Sequence, residues 1–165
     1  MQKDKQFIAG LREAWRDEML SARNYRALAR REKNAERRTI LERMAGAEER
    51  HAETWAKRLR ELGAEPGDFS ESFVDRVRRW ILLRSDTEVA AKMLETGESQ
   101  ADKLYDALMA QAASKQDRSA LQEARRDEHT HSRMLEEFEG RPSHHPQRRL
   151  DTILGRETWH VRAGG

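Results

Sequence analysis

Two stretches decide the reading of this chain: Ala47-Glu48-Glu49-Arg50-His51-Ala52 and, further on, Glu128-His129-Thr130-His131. Each sets a glutamate three residues before a histidine, and on an α-helix that spacing puts both side chains on one face. Apolar and small residues recur at helical spacing around both pairs, with Leu41, Met44, Trp55, Leu59 and Leu62 about the first and Leu121, Ala124, Leu135 and Phe138 about the second. The acids and histidines fill gaps in those stripes, so their side chains are expected to point inward. Two more stripes, Leu11, Trp15, Ala22, Ala29 and Ala91, Leu94, Ala101, Leu108, Ala112, are interrupted in the same way, by Glu18 and Tyr25 and by Glu98 and Tyr105.

The interruptions repeat. Sliding the chain along itself by 80 residues superposes Glu18 on Glu98, Tyr25 on Tyr105, Glu48 on Glu128 and His51 on His131 without a gap, and brings Leu28/Leu108 and Leu41/Leu121 into register. In each half a glutamate is followed by tyrosine 7 residues later and by Glu-x-x-His 30 residues later. A third Glu-x-x-His, Glu157 to His160, lacks this frame: Asp127 stands 30 residues before it, with Met134 where the tyrosine should be. It is read as chance. Carboxylates gathered at one level inside a helical bundle cost several kcal/mol each and repel one another. Two divalent cations would balance them. One glutamate from each of two helices, with Glu-x-x-His from each of the other two, is the ligand arrangement of two-metal helical bundles.

Composition fits this reading and removes others. The chain has 165 residues, 32 basic and 30 acidic, and a net charge of +2, too even for a nucleic-acid footprint. It has no cysteine, which rules out disulfides, thiolate nucleophiles and thiolate metal sites and leaves His, Asp and Glu as ligands. The longest apolar run, Trp80-Ile81-Leu82-Leu83, is far too short to span a membrane. Turn residues gather at Gly63 to Ser70 and at Gly140 to Pro146. They divide the chain into two helical hairpins. The first begins near Asp4, turns at Arg31 to an Asn34 cap, and stops at Leu62 and Gly63; the second opens on a Ser85/Glu88 capping box and turns near Ser114. Between them a short helix carries Phe73, Val77, Trp80 and Ile81 on one face, to cover the bundle or meet a second subunit. The expected fold is all-α: a four-helix bundle of two pseudo-repeated hairpins with a short extra helix in the crossover, over residues 1–140, followed by a tail or linker over 141–165.

Gly97-Glu98-Ser99-Gln100-Ala101 with Tyr105, and Ala47 to Ala52, resemble the rubrerythrin-type members of the ferritin-like superfamily over roughly residues 5–140. The resemblance implies a ferritin-like bundle holding two iron ions, with manganese or zinc as substitutes. It implies that Glu48 and Glu128 bridge the pair, that Glu18 with His51 completes one ion's shell, and that Glu98 or Glu95 with His131 completes the other's. Tyr25 and Tyr105 would each donate a hydroxyl to a carboxylate and fix its orientation. Glu95, one turn before Glu98 and aligned with Trp15 in the first half, matches the extra glutamate of rubrerythrins that exchanges with histidine as a ligand. The chain departs from the family in lacking the four-cysteine rubredoxin module that delivers electrons, which counts against an electron-fed peroxidase.

A closer resemblance, carried by Tyr25-Arg26-Ala27-Leu28-Ala29, Leu59-Arg60-Glu61-Leu62-Gly63 and the ending Trp159-His160 to Gly164-Gly165, is to the N-terminal ferritin-like domain of bacterial vacuolar-iron-transporter-family proteins, the membrane-bound ferritins. It implies oxidation of Fe(II) by dioxygen or peroxide in iron detoxification, storage or export. It also implies a homodimer and a cytoplasmic bundle held at the membrane face by a transport domain following the linker. An iron sensor acting on such a domain and a rubrerythrin-like peroxidase are the alternatives, and no nucleic-acid partner is expected.

Overall fold

Asn34 sets the first hairpin: its side chain accepts a hydrogen bond from the Arg37 N–H and so satisfies a donor that the first helical turn leaves free. In the computed structural model, which describes residues 2–138, the helices are α1 (Gln2–Ala29), α2 (Ala35–Glu61), α3 (Phe73–Arg84), α4 (Thr87–Gln111) and α5 (Lys115–Phe138). The helix that Asn34 opens ends at Leu62, and Gly63 follows at φ +71°, a left-handed turn that glycine adopts without strain. Helices α1 and α2 pack as one hairpin and α4 and α5 as the other, with α1 against α4 and α2 against α5 closing the bundle. Helix α3 lies in the crossover and touches α1 and α4. This is the all-α bundle of two hairpins that the repeat predicts.

The apolar interior is divided in two. Tyr25, Ile40, Leu41, Met44, Leu94 and Leu135 belong to one cluster, and Leu11, Trp55, Leu59, Tyr105, Leu108 and Leu121 to the other. The offset of 80 maps one cluster onto the other: Leu41 corresponds to Leu121, Tyr25 to Tyr105 and Trp55 to Leu135. Between them lies a polar layer of buried glutamate and histidine. Burial of the leucines and Trp55 supplies the main driving force for the bundle, at ~1.5–3 kcal/mol for each large side chain. In the second cluster the helices approach closely at Gly10, where an added Cβ would sit 2.7 Å from Leu108 Cδ2.

Several local expectations are corrected. The second hairpin opens on Asp86, whose side chain accepts from the Val89 N–H, while Ser85 closes α3; the Ser85/Glu88 capping box is therefore not the one used. The capping box that does form is Ser72 with Asp75, at the start of α3. Leu62, assigned to the buried stripe of α2, is 36% exposed, because the helix has already ended there. On α3 the apolar face of Phe73, Val77, Trp80 and Ile81 points outward, with Phe73 72% exposed, and the residue buried against the bundle is Leu82. Polar contacts also tie this helix to α1: Arg16 pairs with Asp75, and Glu71, which receives Arg79 of α3, pairs with Arg23. The tail expected over 141–165, with Glu157 and His160, lies outside the described residues.

Candidate metal centre

The polar layer is built by four helices. Glu18 comes from α1, Glu48 and His51 from α2, Glu98 from α4, and Glu128 and His131 from α5; all six are buried. Their ligand atoms form two overlapping groups, Glu18, Glu48, His51 and Glu128, and Glu48, Glu98, Glu128 and His131, and within each group they lie no more than 4.8 Å apart. Glu48 and Glu128 belong to both. Glu95 belongs to neither: it is half-buried on α4, one turn from Glu98.

The arrangement leaves donors and acceptors unsatisfied. His51 Nδ1 stands 3.6 Å from both Glu18 and Glu48, and His131 Nδ1 stands 2.9 Å from Glu48 and 3.4 Å from Glu98. These approaches lack hydrogen-bond direction, so both Nδ1 atoms, both oxygens of Glu48, Glu98 Oε2 and Glu128 Oε1 have no hydrogen-bond partner among the described residues. Buried polar atoms are nearly always paired. A group of them converging from α2, α4 and α5, with Glu18 of α1 alongside, fits divalent cations, which such nitrogen and carboxylate donors bind directly.

The two tyrosines cross between hairpins. Tyr25 of α1 donates its hydroxyl to Glu98 of α4, and Tyr105 of α4 donates to Glu18 of α1. The bond from Tyr25 takes Glu98 Oε1 and leaves Glu98 Oε2 without a partner. Trp55 Nε1–H reaches Tyr105 Oη at 3.3 Å and Glu18 Oε1 at 3.5 Å, which fixes that side further.

Asp127 takes a part that sequence reasoning missed. Its Oδ2 lies 3.0 Å from His51 Nε2, on the side of the ring away from the cluster, so it fixes the ring and directs Nδ1 inward. At the equivalent position in the first half stands Ala47, and among the described residues no hydrogen bond to His131 Nε2 forms. The only signal in the sequence was this break in the repeat, Asp against Ala.

Charge in the layer is distributed by proximity. Burial alone would lower His51, but Asp127, Glu18 and Glu48 outweigh it and push it up to about 12. Burial would lower His131 too, and Glu48 and Glu98 push it up to about 10. Burial raises Glu18 and Glu128 well above the carboxylate range, reinforced by neighbouring acids. Glu48 is held below its usual range: burial opposes this, but Glu18, His131 and His51 stabilise its ionised form. The layer thus holds protons where metal ions would sit.

No curated protein and no solved structure matches the chain. The family model described as Rubrerythrin matches residues 10–139, a span containing most of α1, all of α2 to α5 and every residue of the layer. With the bundle and the paired carboxylate and histidine groups in place, the chain belongs to the rubrerythrin family of the ferritin-like superfamily.

Proposed function

We propose that the polar layer binds two Fe(II) ions and couples their oxidation to the reduction of dioxygen or peroxide. The observation that carries this reading is the convergence of unpartnered buried nitrogen and carboxylate oxygen atoms from α2, α4 and α5, beside the buried Glu18 of α1. Glu48 and Glu128, common to both groups, would be shared by the two ions; Glu18 and His51 would complete one position, and Glu98 and His131 the other. Bound there, iron supplies one electron per ion to the oxidant. The chain's own groups prepare the site: Tyr25 and Tyr105 each hold Oε1 of a glutamate, Glu98 and Glu18, and buried carboxylates offset the positive charge that grows on oxidation. Glu95, one turn along α4, is the candidate for a ligand that moves in when the iron changes charge.

An anaerobic Fe(II) titration followed by an oxygen pulse tests this. Two ions per chain and prompt oxygen uptake are expected, and Glu48→Ala combined with Glu128→Ala should abolish both. If that double variant binds and oxidises iron as fast as the parent, the ligand assignment is wrong. Stoichiometric binding with no oxygen uptake would favour a sensor. Asp127→Ala should weaken the ion beside His51 by roughly 10–100-fold while leaving the other unchanged. That splits one titration into two steps, and a variant titrating like the parent would remove Asp127 from the centre. We propose further that the bundle works as a homodimer and serves a membrane transport domain, supported by the likeness of Tyr25–Ala29 and Leu59–Gly63 to membrane-bound ferritins. No helix among the described residues is itself long and apolar enough to cross a membrane.

A further inference from the structure

Between α1 and α4, beside α3, the bundle contains a cavity of about 420 Å³ that opens outward and has Glu18, Tyr105 and Glu128 in its lining. Its two long walls come from equivalent segments of the repeat, and both carry polar side chains, on α4 Thr96 and Gln100. Along α1 they are Asp17, Ser21 and Asn24; the same positions on α4 are Gly97, Ala101 and Leu104. At the inner end Glu128, 3% exposed, keeps an oxygen with no hydrogen-bond partner. Around the mouth charges nearly cancel, since Asp17 and Asp75 face Arg78, and Arg16 pairs with Asp75.

From these features we propose that the cavity is the route by which a hydrated divalent cation reaches the layer. The inference rests on the metal-binding reading above. A divalent ion with six waters occupies on the order of 200 Å³, so the cavity admits it without prior dehydration. Polar side chains on both walls, Asp17, Ser21 and Asn24 of α1 and Thr96 and Gln100 of α4, let the ion exchange water for side-chain oxygens as it moves inward, and Gly97 and Ala101 leave room beside them. Dioxygen needs no such lining. With the mouth near neutral, the pull on the ion comes from the inner end, where the carboxylates of Glu18 and Glu128 lie in the cavity lining beside the rest of the layer.

Gly97 offers a clean test, because an added Cβ there meets nothing within 4 Å. Gly97→Phe on one wall and Ser21→Phe on the other should plug the cavity, and Gly97→Ala should leave it open. Anaerobic stopped-flow uptake of Co(II), read by its ligand-field absorption, should be at least tenfold slower in both plugged variants. Gly97→Ala should match the parent, and all should reach the same final two-ion signal. An oxygen pulse onto chain already loaded with Fe(II) should proceed at the parental rate in every variant. Parental Co(II) uptake in both plugged variants overturns the proposal, as does a plug that slows only the oxygen pulse, which would make the cavity the oxidant's route. A parent that takes up no Co(II) would instead overturn the metal-binding reading itself.

Discussion

Two equivalents of Mn(II) or Fe(II), added without oxygen to the chelator-treated chain near pH 7, should release about four protons and raise its thermal midpoint by roughly 15–30 °C. The proton count follows from the layer. His51 and His131, pushed up to about 12 and about 10, are charged at neutral pH, and buried Glu18 and Glu128 are held in their protonated forms. A metal ion binds the deprotonated form of each, so all four protons must leave. The thermal shift follows from linkage: at a thousandfold excess over Kd each ion adds ~4 kcal/mol. In a domain of this size 1 kcal/mol moves the midpoint by ~2–4 °C. Calorimetric titration in buffers of different ionisation enthalpy counts the protons, and a scanning melt gives the shift. Release of fewer than two protons would mean that the metal-free layer is ionised and held together some other way.

Without metal, stability should fall steeply with rising pH. The same groups keep protons in the folded chain that the unfolded chain has already released, the glutamates above their ordinary 4.5 and the histidines above 6.5. Their stabilising contribution is complete below those values and is lost as pH climbs; the histidines' part is gone once it passes about 10 to 12. Each pH unit across which one group alone retains its proton costs ~1.4 kcal/mol, so at least ~3 kcal/mol should disappear between pH 6.5 and 8.5. Glu48 acts in the opposite direction. Its lowered value stabilises the fold above 4.5 and is lost in acid; since the raised glutamates begin to lose their contribution above 4.5, the optimum lies near that value. Urea unfolding with chelator at several pH values measures this, and a curve flat from 6.5 to 8.5 would contradict the layer's electrostatics. Metal affinity should rise over the same interval.

Much of this was legible because periodicity and repetition are local, additive signals. The stripes around Leu41, Leu94 and Leu121 and the doubled Glu, Tyr, Glu-x-x-His frame needed no knowledge of which helix neighbours which. The remainder depends on contacts between helices. Asp127 sits beside Glu128 in sequence, yet its partner is His51, 76 residues away, and only the packing of α2 against α5 joins them. The crossing of Tyr25 to Glu98 and Tyr105 to Glu18 is likewise a property of the α1/α4 contact. At the start of α4 the cap is Asp86 in place of the expected Ser85, a choice made by where α3 ends. The outward face of α3 was readable as apolar, but its orientation is set by Leu82 and by ion pairs with α1, which no periodicity encodes.

The crossed tyrosines also speak to ancestry. Neither half of the chain supplies the tyrosine that holds its own Glu18 or Glu98; each does so for the other half. A hairpin of half this length, pairing with an identical copy about a two-fold axis, would assemble the whole layer, because every component is present once in each half. Fusion of two such copies turns a self-association into a single gene product, and only then can the copies diverge. Asp127 opposite Ala47, and the polar Asp17, Ser21, Asn24 wall opposite Gly97, Ala101, Leu104, are differences that an assembly of identical halves could not have carried.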